Sequence, residues 1–477
     1  AALIALGLSL PVGVWLAGHP RAARWLAPML ALPHAGFAIG FAFLIAPSGW
    51  IARGLAGPMG WAVPSDVASL GDPLGLALMA GLALKELPFL LLVTLAALGG
   101  RDWRGQMIAG RACGYRAGQV WRLVIWPQLW PALRLPMAIV IGYGLSVTDM
   151  ALILGPSHPP SLAVQALRLY TRPDLGGIGP GAVLSLVILG LWGAIIAAGL
   201  LAERLIAGPG RGALRRALRG PQSGPRPLAL SGPVLFRALG LITAAALIVL
   251  ALWSVAVRWP FPAALPQGIS AALWARGGWA APMTGSLILG LAVTALSLGL
   301  AILILETESR SARPLRLGAL IAAPLVLPQI GFLQGLGTAL LWLGLPPGWP
   351  AVIWATLVLT FPYALLMLAG PWHGIAPELI RSATSLGAPP GRVLTRIRLP
   401  LLARPLALTA ATAFAVALGQ YLSVLLPGAG RVPNLATEAV ALASGADRRL
   451  AAQMGLLQSL LPLLAFALAL IPGRRTA

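Results

Sequence analysis

The residues of this chain that could do chemistry are polar side chains placed inside long apolar segments. Six of them stand out by position: Lys85, Glu86, Thr148, Asp149, Gln420 and Tyr421. Ionisable groups in such segments are costly to bury and are therefore candidates for a functional role. They fit the lining of a path for a polar or cationic solute. They also fit structural pairs that fix how helices pack, and the sequence leaves both interpretations open.

No pattern in the sequence predicts a catalytic or metal centre. Cys113 is the only cysteine, and the four histidines are scattered without the spacing of metal ligands. Lys85 is the only lysine, and it lacks the G-x4-G-K-[ST] context that P-loop enzymes use to hold nucleotide phosphates. We therefore expect that the chain is not an enzyme, that it binds no cofactor itself, and that any ATP-driven step requires a separate subunit.

The composition predicts an all-α integral membrane protein. Hydrophobic residues make up 58% of the 477 residues, only 10% are charged, and the mean hydropathy is +0.87. A soluble domain carries about 25% charged residues. Uncharged runs such as 238–257 and 281–305 are long enough to cross a bilayer as helices, which need about 20 apolar residues.

Apolar segments separated by charges and Pro/Gly-rich stretches predict eleven membrane spans. Five precede a basic, Gly/Pro-rich segment and six follow it. This pattern divides the chain into an N-terminal half at 1–203, a linker at 204–234 and a C-terminal half at 235–477. The expected spans lie near 1–17, 26–46, 74–98, 134–155, 181–202, 236–257, 282–305, 317–341, 349–370, 401–424 and 451–472.

The two halves contain matching loops, which we call the first loop (residues 108–127) and the second loop (residues 381–400). In each, a Gly is followed thirteen residues later by a Pro, and both residues recur 273 positions further along the chain. Leu32-Pro33 and Leu327-Pro328 match at an offset near 295. Repetition of this kind predicts two parallel halves of about six helices each. By this alignment, residues 1–17 correspond to the second span of the other half, so we expect one further helix before them.

The distribution of arginine predicts which side of the membrane the loops face. If the spans alternate, the side with both loops and the C-terminus carries twenty-five arginines and the opposite side carries eight. Basic residues are concentrated on the cytoplasmic side of membrane proteins, so we expect both loops and the C-terminus in the cytoplasm. The net charge of +22 is thereby explained without nucleic-acid binding.

The two loops resemble a known motif. The second reads Arg381-Ser382-Ala383-x3-Gly387-x9-Ile397-x-Leu399-Pro400, and the first reads Ile108-Ala109-Gly110-x3-Gly114-x9-Val124-x-Trp126-Pro127. Both resemble the EAA loop (E-A-A-x3-G-x9-I-x-L-P) of membrane subunits of type I ABC importers, and the resemblance covers essentially the whole chain. In that family the loop forms a coupling helix seated in a groove of the ATPase. The resemblance therefore implies that the ATPase-coupling residues are Ala109, Gly110, Gly114, Pro127, Ser382, Ala383, Gly387, Ile397, Leu399 and Pro400.

Both loops depart from the family pattern. Ile108 and Arg381 replace the motif's glutamate, so any ion pair made by that glutamate is absent or rearranged here. Pro389-Pro390 is expected to end a helix early in the second loop. We expect Pro127 and Pro400 to begin the following span, because a first-turn residue needs no N–H for the helix.

The chain looks closest to permeases with two fused halves, a group that includes thiamine and ferric-iron importers. The segments 85–92, 126–134 and 145–164 are similar to a branch labelled thiamine permeases. The resemblance implies two ATPase subunits in the cytoplasm, a periplasmic or extracellular solute-binding protein, and a place in the bacterial inner membrane. The alternative from the residues is an ATP-independent secondary transporter with two six-helix halves. A membrane enzyme is disfavoured because catalytic groups are not clustered.

Overall fold

The protein is almost entirely helical in a computed structural model that describes residues 1–215, 231–311, 318–445 and 447–471. The first helices are α1 Ala2–Leu16, α2 Pro20–Ala23, α3 Leu26–Ala31, α4 His34–Ile45, α5 Trp50–Met59, α6 Leu76–Gly99, α7 Trp103–Ala112, α8 Ala117–Val120, α9 Trp126–Ser146, α10 Asp149–Leu154, α11 Leu162–Tyr170 and α12 Ile178–Arg215. A π-helical turn at Trp121–Ile125 joins α8 to α9, and a 3₁₀ turn at Leu175–Gly177 precedes α12.

A short antiparallel hairpin separates two of the longest helices that follow. The remaining elements are α13 Gly232–Val255, β1 Ala256–Arg258, β2 Gln267–Ile269, α14 Ala272–Ala275, α15 Ala280–Arg310, α16 Gly318–Val326, α17 Gln329–Trp342, α18 Trp349–His373, α19 Pro377–Ser385, α20 Pro390–Val393, α21 Leu399–Leu401, α22 Ala403–Gly419, α23 Leu422–Gly428, α24 Leu435–Ala443 and α25 Arg448–Leu470. A second π-helical turn, Leu394–Arg398, lies between α20 and α21.

The predicted fold class is confirmed, although fewer helices reach spanning length than the eleven expected. Within the described residues, eight helices are long and apolar enough to cross a membrane, or nine if the bent pair Pro390–Leu401 and Ala403–Gly419 is one span. The expected span at 317–341 is divided by Pro328 into α16 and α17, since proline cannot continue the backbone ladder. The first expected span forms only the 15-residue α1.

Helices of the two halves correspond residue by residue, in agreement with the predicted parallel repeat. Advancing α8 and its π-helical turn by 273 residues gives the bounds of α20 and the second π-helical turn. The same offset carries the end of α9 at Ser146 to the end of α22 at Gly419. It also carries α11 to α24. An offset of 295 carries His34, the start of α4, to Gln329, the start of α17.

The chain packs as two compact units whose membership is not simply sequential. Unit 1 contains Ala1–Leu30, Leu70–Ala245 and Val326–Gly331. Unit 2 contains Ala31–Ser69, Ala246–Leu325 and Phe332–Ala477. The core of unit 1 includes buried residues of α1, α6 and α9, and that of unit 2 includes buried residues of α15, α18 and α22.

The division of the sequence into the halves 1–203 and 235–477 stays a prediction, and most of the linker at 204–234 lies outside the described residues. The packing of unit 2 nevertheless draws on both halves. Its helix α4 comes from the N-terminal half and packs against α24 and α25.

Close helix crossings in unit 2 depend on glycine. A Cβ at Gly285 of α15 would clash with the carbonyl oxygen of Pro433, and one at Gly290 would lie 2.6 Å from the Phe414 ring. Gly299 of the same helix has nothing within 4 Å of an added Cβ. Small residues let helix backbones approach closely, as is common where helices pack inside membranes.

Gly285→Ala is expected to lower the stability of the purified protein by about 1–3 kcal/mol, because the added methyl overpacks a contact with backbone that cannot rotate away. Thermal unfolding in detergent measures the effect. Gly299→Ala is the matched control and should unfold at or slightly above the wild-type temperature, since alanine is the better helix former. Equal unfolding temperatures for the two variants would contradict the crossing.

Candidate functional site

The two loops share one local geometry. In the first, α7 ends in a turn where Gly114 has φ 87°, and in the second α19 ends where Gly387 has φ 81°. Only glycine adopts this left-handed conformation without steric cost. The N–H of Tyr115 donates to the carbonyl of Gly110, and the N–H of Ala388 donates to that of Ala383, both at 3.0 Å. These are the six-to-one hydrogen bonds of a glycine-terminated helix.

The helices on either side of the first turn approach closely at Gly110. A Cβ there would lie 2.5 Å from a methyl of Val120 on α8, so any larger residue would push the two helices apart. Ala109 is exposed beside it. An apolar cavity of about 270 Å³ opens between α7 and the following turns, and its lining includes Cys113 and Tyr115.

Pro127 and Pro400 lie in the first turns of α9 and α21, as expected, but each of these helices directly continues an earlier helical segment. Helical turns continue through Pro127 and Pro400 because a π-helical turn precedes each. The N–H of Trp126 bonds the carbonyl of Trp121, five residues back, and the N–H of Leu399 bonds that of Leu394. Proline has no N–H and its ring collides with the carbonyl four residues earlier, so a widened turn relieves the clash.

In the second loop, Pro389 and Pro390 start a helix rather than ending one. Pro389 has φ −69° and ψ 154° and forms the N-cap of α20, and Pro390 occupies its first turn. Proline is favoured at that position because the missing N–H has no helical partner there. The preceding helix α19 already ends at Ser385 because of the Gly387 turn.

The second loop is held in place by a buried ionic network. Arg398, in the π-helical turn, forms an ion pair with Glu306, with 3.1 Å between Nη1 and Oε2, and its Nη1 donates a hydrogen bond to Ser309 Oγ at 2.9 Å. Its guanidinium also lies 5.3 Å from the ring centroid of Trp372. Glu306 Oε1 accepts from Arg310 at 2.6 Å. The Arg398 and Glu306 side chains are only 12% and 10% exposed, so this network ties the loop to the end of α15.

The first loop has neutral groups in the equivalent role. The side chains of Gln106 on α7 and Gln128 on α9 exchange two hydrogen bonds of 3.2 Å. Gln128 also donates to the carbonyl of Val124 at 2.9 Å. The two loops therefore share backbone geometry and differ in charge.

At the glutamate positions of the motif, the structure places residues of opposite character. Ile108 is 71% exposed on α7. Arg381 on α19 is also exposed and pairs with Glu378, one turn earlier, at 3.3 Å. Both partners of this pair are 73% exposed, and such surface pairs stabilise little. The other loop residues named from the motif are exposed or half-buried: Ala109, Gly110, Gly114, Pro127, Ser382, Ala383, Gly387, Ile397, Leu399 and Pro400.

The candidate path residues of unit 1 lie on two helices that pack together. Lys85 and Glu86 are 7% and 9% exposed within the span α6. Thr148 and Asp149 are 1% and 5% exposed where α9 ends and the short α10 begins. Because α10 packs against α6, the segments that carry these four residues are neighbours in unit 1.

Gln420 and Tyr421 occupy the equivalent break in unit 2. Gln420 is extended, with ψ 113°, between α22 and α23, just as Val147, with ψ 128°, follows α9 in unit 1. Both Gln420 and Tyr421 are half-buried. A broken helix inside a membrane leaves backbone groups without helical partners, so they must bond to protein groups or line a polar cavity.

Each break lies beside the start of a helix that the sequence places in the other half. In unit 1, the backbone N–H of Gln329, at the start of α17, donates to Ser146 Oγ at 3.0 Å. In unit 2, a Cβ on Gly419 would lie 3.9 Å from Pro33, which immediately precedes α4. The offset of 295 relates these two helix starts, so the arrangement at the two breaks is reciprocal.

Sequence reasoning missed several buried polar residues of unit 2. Gln458, in the middle of α25, is fully buried and donates from Nε2 to the carbonyl of Leu418 at 3.4 Å, two residues before the break at Gln420. Gln453 is 1% exposed and Asn434 is fully buried. Their signal in the sequence is an uncharged amide within or beside an apolar segment. Glu306 was assigned to a loop, whereas it lies in α15.

Within residues 1–215, 231–311, 318–445 and 447–471, no cluster of three His, Cys, Asp or Glu side chains could hold a metal ion.

Comparison with known proteins places the chain among transport components. Residues 264–475 match a family described as "Binding-protein-dependent transport system inner membrane component". The chain is 32% identical to the Inner membrane ABC transporter permease protein YnjC of Escherichia coli (strain K12). The alignment spans 471 residues and covers 98% of this chain and 84% of that relative.

Glu306→Gln is expected to destabilise unit 2 by about 3 kcal/mol, because it leaves Arg398 buried without its charged partner. Thermal unfolding of the purified protein measures the loss. Glu378→Gln is the matched control, since it removes an equally short-range but exposed ion pair, and it should change stability by less than about 0.5 kcal/mol. The double variant Glu306→Gln/Arg398→Gln should regain part of the loss. Strictly additive effects of the two substitutions would contradict the network.

Proposed function

This chain belongs to the ABC transporter permeases, the membrane components of binding-protein-dependent transport systems, and we propose that it forms the translocation path of an ATP-driven importer. The observation that carries the proposal is the repeated loop geometry, with a left-handed Gly114 or Gly387 followed by a π-helical turn and a proline. Two matching cytoplasmic loops would serve two ATPase subunits.

The chain supplies the membrane path and a partner supplies the chemistry. With a single lysine that is not in a G-x4-G-K-[ST] motif, the sequence lacks the P-loop with which P-loop ATPases hold nucleotide phosphates. ATP is then bound and hydrolysed by the ATPase subunits, and this chain needs no cofactor of its own. A solute-binding protein on the other side of the inner membrane delivers the solute.

The loops would transmit the movement of the ATPases. In the second loop, a displacement of α19 and α20 reaches α15 through Arg398 and Glu306, which lie within 3.1 Å of each other. Because buried helices repack between discrete arrangements rather than deforming continuously, such a displacement would favour one of two states of the path. In the first loop, the neutral Gln106–Gln128 pair would have the same role.

The solute would pass along the two helix breaks. Thr148 and Asp149 in unit 1, and Gln420 and Tyr421 in unit 2, provide polar groups at two helix breaks that the repeat relates, with Thr148 and Tyr421 at equivalent positions. Discontinuous helices are a common way to expose backbone and side-chain polar groups to a solute inside a membrane. The carboxylate of Asp149, with Glu86 on the neighbouring helix, suits a cation such as thiamine, and ferric iron is the other solute that the family resemblance suggests.

Gly387→Val is expected to abolish co-purification of the chain with its ATPase, because a β-branched residue cannot hold φ 81° and the turn after α19 would reorganise. Gly391→Ala, in α20 of the same loop, is the control and should bind normally, since nothing lies within 4 Å of the added methyl. Gly114→Val and Gly118→Ala repeat the test in the first loop. Uptake by this chain in liposomes without any ATPase would instead support a secondary transporter.

Asp149→Asn is expected to reduce ATP-dependent uptake of labelled thiamine at least about tenfold, the loss of one charge-assisted contact of roughly 1.4 kcal/mol. The measurement uses proteoliposomes containing the chain, its ATPase and its binding protein. Asp174→Asn removes an exposed carboxylate paired with Arg172 and should leave uptake unchanged. Normal uptake by Asp149→Asn would exclude that carboxylate from the path.

A further inference from the structure

A cavity of about 560 Å³ in unit 2 combines an unusual density of positive charge with aromatic rings. Its lining includes Arg53, Arg448 and Arg449, together with Trp253 and Trp259. One carboxylate, Asp447, is present among the lining residues. The cavity lies far from both loops in sequence, and no part of the proposed transport mechanism uses it.

Arg53 is a buried cation whose described partners are all neutral. It is 4% exposed, and its guanidinium donates to the carbonyl oxygens of Ser48, Trp259, Pro260 and Ala263 at 2.7–3.1 Å. The ring centroid of Trp259 lies 5.2 Å away. These carbonyls hold the side chain rigidly but leave its full positive charge uncompensated.

Arg448 adds a second uncompensated charge at the first residue of α25. It donates to Ser48 Oγ at 2.9 Å and lies 5.5 Å from the ring centroid of Trp253. Asp447 does not neutralise it, because the Asp447 carboxylate accepts from Arg449 at 3.1 Å and caps the helix. Hydrogen bonds from Arg449 also hold the pKa of Asp447 below its usual value, so this pair stays mutually engaged. The cavity therefore retains a net excess of two positive charges.

The cavity lies at the level where spans meet the membrane surface. Two candidate spans end or begin there: α13 ends at Val255 and α25 begins at Arg448. The ring centroid of Phe43, on α4, lies 5.8 Å from the Arg448 guanidinium. Tryptophan and arginine are characteristic of this interfacial layer. From the adjoining hairpin, α15 runs 31 residues, about 45 Å at 1.5 Å per residue, to the second loop. The cavity is thus at the end of unit 2 opposite that loop.

Apolar surface continues directly from the charged cavity. Val257, on the cavity wall in β1, is 53% exposed, and the Trp259 ring lies on the same wall. A ligand that fits has an oxyanion for the arginines and hydrocarbon for the hairpin. A soluble acidic protein segment would satisfy the arginines but leave the hairpin's apolar side chains without a partner.

We propose that this cavity binds the phosphate of an anionic phospholipid from the leaflet opposite the loops. Arg448 and Arg449 donate to the phosphate oxygens, Arg53 supplies fixed positive charge behind them, and the glycerol and acyl chains lie along Trp259 and Val257. Basic pockets between membrane helices recognise lipid head groups by this combination of charge and apolar contact.

Native mass spectrometry of the full chain in detergent tests the proposal, with added phosphatidylglycerol, phosphatidylcholine or inorganic phosphate. The wild type should bind phosphatidylglycerol about tenfold more tightly than phosphatidylcholine. Arg448→Gln should lose that preference, and Arg448→Lys should keep it within about threefold. Arg276→Gln removes the same charge from an exposed site in the loop between α13 and α15 and should bind as wild type.

An equal loss of phosphatidylglycerol binding in Arg448→Gln and Arg276→Gln would overturn the proposal, because the loss would then depend on the net charge of the protein and not on the cavity. Binding of inorganic phosphate without preference for phosphatidylglycerol would overturn the lipid assignment while keeping the phosphate chemistry. If the Arg448→Gln variant no longer bound a soluble binding protein but bound lipid as the wild type does, the cavity would be a site for a protein partner and the lipid proposal would be wrong. Unfolding temperatures measured in phosphatidylcholine verify that each variant is folded. A variant that has lost its preference for phosphatidylglycerol can then be distinguished from one that has lost its structure.

Discussion

The constraint on which this structure depends is that backbone polar groups inside a membrane must find partners within the protein. Helices satisfy it along their length, so each interruption has to be repaired locally. At Pro127 and Pro400 the repair is a π-helical turn. At the break after α9, Ser146 accepts the N–H of Gln329, and near the break after α22, Gln458 donates to Leu418. Where an interruption is repaired by a side chain, a polar position is introduced into an apolar span.

The repeat conserves backbone geometry more strictly than side-chain chemistry. Both loops have the glycine turn, the short helix and the π-helical turn at the same offset. The contacts that hold them differ: a neutral amide pair between Gln106 and Gln128 in the first, and the buried Arg398–Glu306 ion pair in the second. An ion pair of low exposure responds strongly to the loss of either partner, whereas an amide pair responds less. The two loops therefore share a backbone shape and differ in how strongly they depend on a single side chain.

Much of the fold could be predicted from the sequence, because its strongest signals are physical limits. Apolar length identifies spans, and repeated Gly and Pro positions identify equivalent turns. The helical path through Pro127 could not be predicted, since proline at that position is compatible with either a helix start or a widened turn, and neighbouring packing selects between them. The span predicted near 282–305 stops one residue before Glu306, whereas α15 continues to Arg310. The last turn of α15 contains Glu306, whose ion pairs with Arg310 and Arg398 could not be predicted from the sequence.

The sequence by itself determined the membrane class, the parallel repeat and the glycine turns, because these follow from composition and spacing. Only the tertiary structure decided which helices share a unit, since packing crosses the boundary between sequence halves, as α4 does. It also brought Arg53 beside Trp259, Trp253 and Arg448, residues distant in the chain. Side-chain convergence of this kind depends on how helices cross, and helix crossing is set by three-dimensional packing rather than by any local pattern.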